Sequence, residues 1–357
     1  MDNVFYFKHI NDLGGVESFF YYLSKLYKNM VVYYKEGDSK QVKRLAQNIE
    51  VRKFKEEPIK CKRFFCNYGF DIADYLDAEE KYHLIHCNYK GNKYCKPLIY
   101  PGFKYIGVSQ YVCDTFKELT GLDAELIYNP VAIDNPHVKK KTDKIHIVCA
   151  TRLSGEKGGW RIDKFADLMD KTGIDYDLTV YTNRTNYSKD KRRVQFQSPN
   201  VIVKSPKLDI AKELQEATYT LQLSDDEAYG YTPVESAILG TTPILTDIPV
   251  FKELGFEHGK NCIIVDKWLQ NVDFDLIKKG IPPFKYTPPK SNWGKYLDNN
   301  RDYDPNELIE VEVKKPKLWL VEEDLHLVKG DKVKLPRVRA SELEAKDYVI
   351  VYHYSVL

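Results

Sequence analysis

Apolar residues fall in short blocks separated by longer amphipathic stretches, and this alternation runs twice along the chain. Residues 4–7 (Val-Phe-Tyr-Phe) form the first block, and others follow at 31–34, 63–66, 82–87 and 105–108. Blocks of this length, rich in β-branched and aromatic residues, predict buried strands. Residues 16–26 read as a helix, and a further helix starts at Ser109. Residues 127–131 close this half, and the polar, basic stretch 135–144, centred on Lys139, Lys140 and Lys141, predicts a linker. The alternation then restarts, with strands at 145–150, 178–181, 201–203, 219–223, 244–245 and 262–265 and helices at 161–171 and 210–216. Strands alternating with helices predict parallel α/β sheets.

The pattern changes past residue 280. Pro282, Pro283, Pro288 and Pro289 interrupt regular structure, and 291–297 around Trp293 predicts a short helix. Residues 309–313 alternate with period two, 317–321 and 348–352 are further strand candidates, and 341–345 is a helical turn. Four segments are therefore expected: a Rossmann-like domain at 1–138, a second at 139–280, a Pro-rich connector with room for a crossover helix at 281–305, and a small β-rich module at 306–357.

Composition narrows the function classes. A chain of 357 residues suits two domains, and 43% hydrophobic residues suffice for packed cores. A formal charge of +2 provides no global field towards nucleic acid or an anionic membrane. No apolar run approaches the roughly 18–20 residues of a membrane span, and the first ten residues lack a signal-peptide pattern. The seven cysteines are irregularly spaced, and neither Cys61/Cys66 nor Cys87/Cys95 has the Cys-x2-Cys spacing of a zinc site. Reduced thiols in a cytoplasmic protein are expected. The 27 tyrosines, with many Lys, Asn and Ile, lean towards an A+T-rich bacterial or phage gene.

The stretch 227–245, EAYGYTPVESAILGTTPIL, carries the most chemistry. Glu227 and Glu235 stand eight positions apart around a Gly-Tyr-Thr-Pro turn. Tyr229-Gly230 can turn tightly because glycine accepts backbone conformations other residues resist. Pro233 fits the first turn of a helix, where its missing N–H costs little. A loop that feeds a helix N-terminus suits an anion. Two acceptor-only carboxylates beside such a cradle suit the hydroxyls of a sugar nucleotide.

This stretch resembles the E-x7-E signature of the retaining GT-B glycosyltransferases, above all glycosyltransferase family 4, where it runs roughly E-G-F-G-x-x-x-x-E-A-x-A-x-G-x-P-V-V. Further stretches are similar in the same order. They are Leu13-Gly14-Gly15-Val16-Glu17 after the first strand, Ala150-Thr151-Arg152-Leu153-Ser154-Gly155-Glu156-Lys157-Gly158 after the first strand of the second half, and His86 at the end of a first-half strand. Val108-Ser109 and Tyr128-Asn129-Pro130-Val131 match scaffold landmarks. Together they cover about residues 4–265. Thr151 departs from the family's usual glycine.

The resemblance implies an α/β GT-B fold, two Rossmann-like domains facing a cleft, with the β-rich module added. It implies hexosyl transfer with retention from a nucleoside-diphosphate sugar such as UDP-glucose. Arg152 and Lys157 would neutralise the diphosphate, His86 would touch the transferred sugar, and Glu227 would serve the reacting centre. Gly14, Gly15, Arg152, Lys157, Tyr229, Gly230, Tyr231, Thr232 and Glu235 would bind the donor. The turn 204–207 would hold the nucleobase. No Asp-x-Asp stands at a suitable strand end, so a metal-independent reaction is expected, with no cofactor beyond the donor. The acceptor (glycan, protein or modified nucleic acid) stays open, as does oligomeric state. Two other readings remain. One is a non-catalytic GT-B-like structural or binding protein, for instance virion-associated. Its module would share the Gly330-Asp331 turn and Arg339-Ala340-Ser341-Glu342-Leu343 helix of phage modules. The other is a phage DNA-modifying glucosyltransferase, suggested by Lys189, Lys191, Arg192 and Arg193.

Overall fold

In the computed structural model, strands and helices alternate from the start of the chain; residues 1–10, 13–90, 96–133, 144–182, 196–300 and 302–352 are described. The first stretch contains β1 (Asn3–Ile10), α1 (Gly15–Leu26), β2 (Met30–Gly37), α2 (Ser39–Ala46), β3 (Glu50–Lys53), β4 (Ile59–Asn67), β5 (Leu76–Ile85) and β6 (Phe103–Gly107). Next come α3 (Gln110–Thr120), β7 (Glu125–Leu126), β8 (Ile145–Ala150), α4 (Gly159–Asp170), β9 (Tyr176–Tyr181), β10 (Val201–Lys204), α5 (Ala211–Glu216) and β11 (Tyr219–Gln222). The alternation ends with α6 (Tyr231–Ile238), β12 (Thr242–Thr246), α7 (Pro249–Glu253), β13 (Ile263–Val265) and α8 (Phe274–Lys279). The last stretch holds β14 (Leu308–Val313), β15 (Lys317–Leu320), β16 (Leu325–Val328), β17 (Lys332–Pro336), α9 (Arg337–Ala345) and β18 (Val349–Val351). The predicted basic linker lies outside the described residues except for Lys144, and the 189–193 cluster lies outside them entirely.

The chain forms two compact units. One comprises Met1–Ile85, Leu98–Ile106 and Asn292–Leu357; the other comprises His86–Pro97 and Gly107–Ser291. Membership does not follow chain order. Residues 107–133, expected with the N-terminal domain, group with the second unit. There Glu253 accepts the Gln110 and Tyr111 backbone N–H groups at 2.6 and 2.9 Å, and the Tyr231 hydroxyl donates to the Pro130 carbonyl at 3.2 Å.

In the first unit the strand order is β3-β2-β1-β4-β5-β6, with β1 parallel to β2 and β4, and β4 parallel to β5. Central parallel strands are covered on both faces, which is why β1 reads as an apolar run. Phe5 stacks on Phe65 at 4.5 Å, and Phe19 and Phe20 of α1 pack on the same face. Trp293 reaches this cluster from a one-turn 3-10 helix and is 1% exposed, against Phe5, Phe19 and Phe65. The short helix predicted there is thus a plug for the first sheet. Before it, the Pro-rich stretch packs on the second unit, where Tyr286 stacks on Phe256 and donates to the Leu254 carbonyl at 2.7 Å.

The second unit repeats the plan, with order β10-β9-β8-β11-β12-β13 and parallel pairing throughout. Its core joins Ile147, Cys149, Phe165, Leu178, Leu221, Ile244 and Val265. In this order the chain moves outward from β8 through β9 to β10, then starts again on the other side at β11. That reversal makes the carboxyl ends of β8 and β11 the topological switch point, where open α/β sheets bind ligands.

The C-terminal module is a small antiparallel sheet, β17-β14-β18, plus a β15-β16 hairpin. Its own core contains Val311, Val313, Leu335, Leu343 and Val351. Helix α9 starts at Arg337, four residues before the predicted turn, and β16 (LHLV) and β17 (KVKLP), not read as strands in the sequence, are short runs of four and five residues. The module packs on α2 and β3 through charged groups. Lys43 meets Glu342 at 3.1 Å, Lys55 meets Glu344 at 2.9 Å, and Arg337 approaches Glu50 at 3.8 Å.

Candidate active site

The structure brings Lys157 and Glu227 together at the switch point of the second sheet. Lys157 lies in the loop that leaves β8, and Glu227 in the loop that leaves β11. The Lys157 ammonium is 2.7 Å from Glu227 Oε2, and the two side chains are only 17% and 10% exposed. Glu227 Oε1 accepts from Gln222 Nε2 at 2.8 Å and from Ser224 Oγ at 2.7 Å. A carboxylate so far out of water needs these partners. Gln222 and Ser224 went unread in the sequence because neutral side chains at a strand end carry no signature.

The two loops are also joined through their backbones. The Asp225 N–H donates to the Glu156 carbonyl at 2.8 Å. Gly158 has φ +69°, and a Cβ there would stand 1.9 Å from the Leu223 carbonyl oxygen. Only glycine permits both that conformation and that approach. Thr151, the departure from the family pattern, donates its N–H to the Tyr181 carbonyl at 3.2 Å, so the threonine continues the sheet edge.

Past Glu227 the chain turns through Gly230, whose φ is +85°, into α6. Tyr231 and Thr232 fall in the first turn of that helix, and no side chain caps it. A helix start of this kind suits an anion. Glu235 lies one turn in and is 9% exposed. Tyr229 is buried, and burial first, with Glu235, Tyr128 and Tyr286 nearby, pushes its phenol far above its ordinary pKa. Its hydroxyl, like Ser154 Oγ in the β8 loop, is buried with no hydrogen-bond partner among the described residues. Buried hydroxyls in two adjoining loops are positions a polar ligand would satisfy. Asp226 faces the Tyr111 hydroxyl and Asn88; burial raises its pKa, and Glu227 adds to the rise.

The remaining predicted residues stand elsewhere. Arg152 is half-buried in the β8 loop, and His86 is half-buried as the first residue past β5. Gly14 is the N-cap of α1 in the first unit and, having no side chain, makes no side-chain cap bond; Gly15 is the first helical residue. The predicted nucleobase turn begins at the carboxyl end of β10, where the Lys204 carbonyl accepts the Thr182 N–H at 3.0 Å. Among the described residues no cluster of three or more His, Cys, Asp and Glu side chains is arranged to hold a metal ion. Among them, too, no helix is long and apolar enough to cross a membrane.

No protein-family model and no curated protein sequence matches the chain. Solved structures do. HepE from Anabaena, solved in complex with UDP and glucose, superposes with a TM-score of 0.59 at 15% identity, over 78% of this chain and 89% of that one. A glycosyltransferase from Rickettsia africae gives 0.57 at 13% identity, over 78% and 89%. WaaG, a glycosyltransferase involved in lipopolysaccharide biosynthesis, gives 0.52 at 12% identity, over 78% and 88%. The fold is GT-B. At these identities the likeness speaks for the fold, two Rossmann-like halves with a small antiparallel C-terminal sheet.

Proposed function

We propose that the protein is a retaining glycosyltransferase of the family 4 type that moves a hexose from a nucleoside-diphosphate sugar, in the first instance a UDP-sugar, to an acceptor hydroxyl. The observation that carries this is the Lys157–Glu227 pair at the carboxyl ends of β8 and β11, next to the uncapped start of α6. A fold shared with a protein solved with UDP and glucose supports it.

Lys157 and Arg152 hold the diphosphate and offset the charge that grows on the leaving nucleotide. The α6 N-terminus, with Tyr231 and Thr232 in its first turn, supplies N–H donors to the same group. Glu235 accepts from the ribose, and Glu227 from the transferred sugar. Gly14, Gly15 and His86 are further donor contacts, proposed on the family resemblance of their stretches. The bond from the anomeric carbon to the phosphate oxygen breaks as a bond to the acceptor oxygen forms on the same face. The acceptor proton passes to the departing phosphate oxygen. Arg152 and Lys157 take the place of a divalent cation.

Since Glu227 already holds Lys157, an incoming diphosphate shares that ammonium. The pair keeps the lysine at the phosphate position before the donor arrives, which lowers the reorganisation needed at reaction. Binding of a panel of nucleotide sugars, read by thermal shift and calorimetry, tests the reading. Glu235→Ala is expected to weaken UDP binding about tenfold or more, from loss of charge-assisted hydrogen bonds of about 1.5–3 kcal/mol. Unchanged affinity would remove Glu235 from the donor site.

A further inference from the structure

Arg161 is a buried cation outside the motifs that pointed to this site. It lies in the first turn of α4 and is 4% exposed. Its guanidinium donates in three directions. Nε reaches the Lys267 carbonyl at 2.6 Å, Nη1 the Leu223 carbonyl at 3.1 Å, and Nη2 the Asp225 carboxylate. Those acceptors lie on the loops that leave β13 and β11, while Arg161 itself follows the loop that leaves β8. Its neighbour Trp160 stacks on it at 4.6 Å. The loop after β13 is firmly built: Asp266 accepts the N–H groups of Trp268, Gln270 and Asn271 at 2.7–2.8 Å, and Lys267 Nζ donates to the Asp225 carbonyl at 2.9 Å.

We infer that Arg161 is a positioning residue. It clamps the loops after β8, β11 and β13 so that Glu227 and Lys157 meet at one fixed point. This rests on the reading of the site as a sugar-nucleotide site. Three features support it. Asp225 is two residues before Glu227, so fixing its carboxylate and the Leu223 carbonyl fixes the path that delivers Glu227. A guanidinium serves three divergent acceptors from one rigid plane, which an ammonium cannot do. Gly158 lets the β8 loop lie against the Leu223 carbonyl, and a Cβ at that position would also stand 3.0 Å from Arg161 Nη1. The clamp touches no reacting atom; its product is the separation of Lys157 from Glu227.

The test uses the full chain with Arg161→Lys, Asp225→Asn and, as a control on the same helix, Lys164→Ala, which removes a bond to the Trp268 carbonyl only. Two readouts are taken. Amide exchange over 154–158 and 223–230 is measured on the unliganded protein, and kcat and KM are measured with a UDP-sugar. Arg161→Lys should raise exchange in both segments about tenfold or more while the β1–β5 amides keep their protection. It should lower kcat about tenfold or more with KM within about threefold, since the pair acts on charge that develops in the transition state. Adding Glu227→Gln to Arg161→Lys should cost little beyond Glu227→Gln alone, because both changes act through one group. Lys164→Ala should leave both readouts within about twofold of the wild type. If Arg161→Lys fails to fold, Asp225→Asn carries the same expectations, because it keeps the two carbonyl bonds of the buried guanidinium. Unchanged exchange in the two segments, unchanged kcat, or full additivity with Glu227→Gln would overturn the inference. A wild-type protein that neither binds nor turns over nucleotide sugars would instead refute the function proposed above, while the exchange result still judges the clamp.

Discussion

Two regions of this protein bury charge to a similar degree and use it differently. At the switch point of the second sheet, Glu227 and Lys157 are 10% and 17% exposed; where the C-terminal module meets α2, Glu342 is 11% and Glu344 2% exposed. Glu342 is met by three cations: Lys43 at 3.1 Å, Arg339 at 3.0 Å and Lys346 at 2.7 Å. Glu344 accepts from the Lys53 and Val351 backbone N–H groups as well as Lys55. These carboxylates are saturated by fixed neighbours between a helix and a strand edge. Glu227 shares a single lysine with two neutral donors, on loops at the carboxyl ends of parallel strands. Burial of charge therefore does not by itself mark a reacting centre; what makes the Lys157–Glu227 pair the candidate is its placement at the switch point, where open α/β sheets bind ligands.

The first way to break the comparison is Lys157→Ala. On the proposed function it costs kcat about 100-fold or more, as removal of one oxyanion donor does, while Tm moves by a few degrees at most. A steady-state assay with thermal melting checks it, and a collapse of Tm with activity retained would place Lys157 with the structural pairs. The reverse profile is expected of Glu344→Ala. Loss of this carboxylate takes the acceptor from the Lys53 and Val351 N–H groups and the ion pair from Lys55, which keeps only its bond to the Val351 carbonyl, a destabilisation of about 2–3 kcal/mol after allowance for the partly exposed lysine. Denaturant titration should show that loss with UDP affinity unchanged.

Acid should act on the module interface through Glu342. Burial pushes its pKa up, but Lys346, Lys43 and Arg339 more than reverse this and hold it at about 2 against an ordinary 4.5. The folded pKa is depressed, so the stabilisation is complete above about pH 4.5 and is lost as pH falls from there towards 2. Glu342→Gln should flatten that part of the pH–Tm curve. His83 adds an earlier slope: burial lowers its pKa from 6.5 to about 4, so its neutral form supports folding above 6.5 and less as pH falls below it. A Glu342→Gln curve that still bends between 4.5 and 2 would remove Glu342 as the cause.

The smallest effect is expected from a chain that ends after Leu297. It keeps Trp293 in the first sheet and removes a module that has its own apolar core and meets α2 mainly through charges. Those charges can return to water, so the shortened chain should fold and bind UDP within about threefold of the full chain, a difference under 1 kcal/mol. Its transfer to the native acceptor should fall. Calorimetry with UDP decides, and an unfolded product would make the module part of the fold's support.

Much of this architecture was legible in the residues, for a physical reason. Central parallel strands are covered on both faces, so β1, β8 and β11 announce themselves as apolar runs, and β4 only in its second half, where Phe64, Phe65 and Cys66 are buried. Glycine and proline mark places where the backbone does something particular: Gly230 at positive φ before α6, and Pro233 in its first turn. The α/β alternation followed from such local rules, as did the positions of Lys157, Glu227 and Glu235 on their loops and helix, while the GT-B class rested on the family resemblance of the 227–245 stretch. What only the tertiary structure decided was which side chains meet. Arg161 reads as one polar position on an amphipathic helix, yet the packing of α4 places it against Leu223, Asp225 and Lys267. Gln222 and Ser224 acquire their role only because β11 ends beside β8. Trp293 read as part of a short helix and proves to be a plug against Phe5, Phe19 and Phe65, more than two hundred residues earlier. Periodicity reports the face a residue presents, because burial acts on each residue locally. Partnership depends on how distant segments are brought together, and no local pattern encodes it.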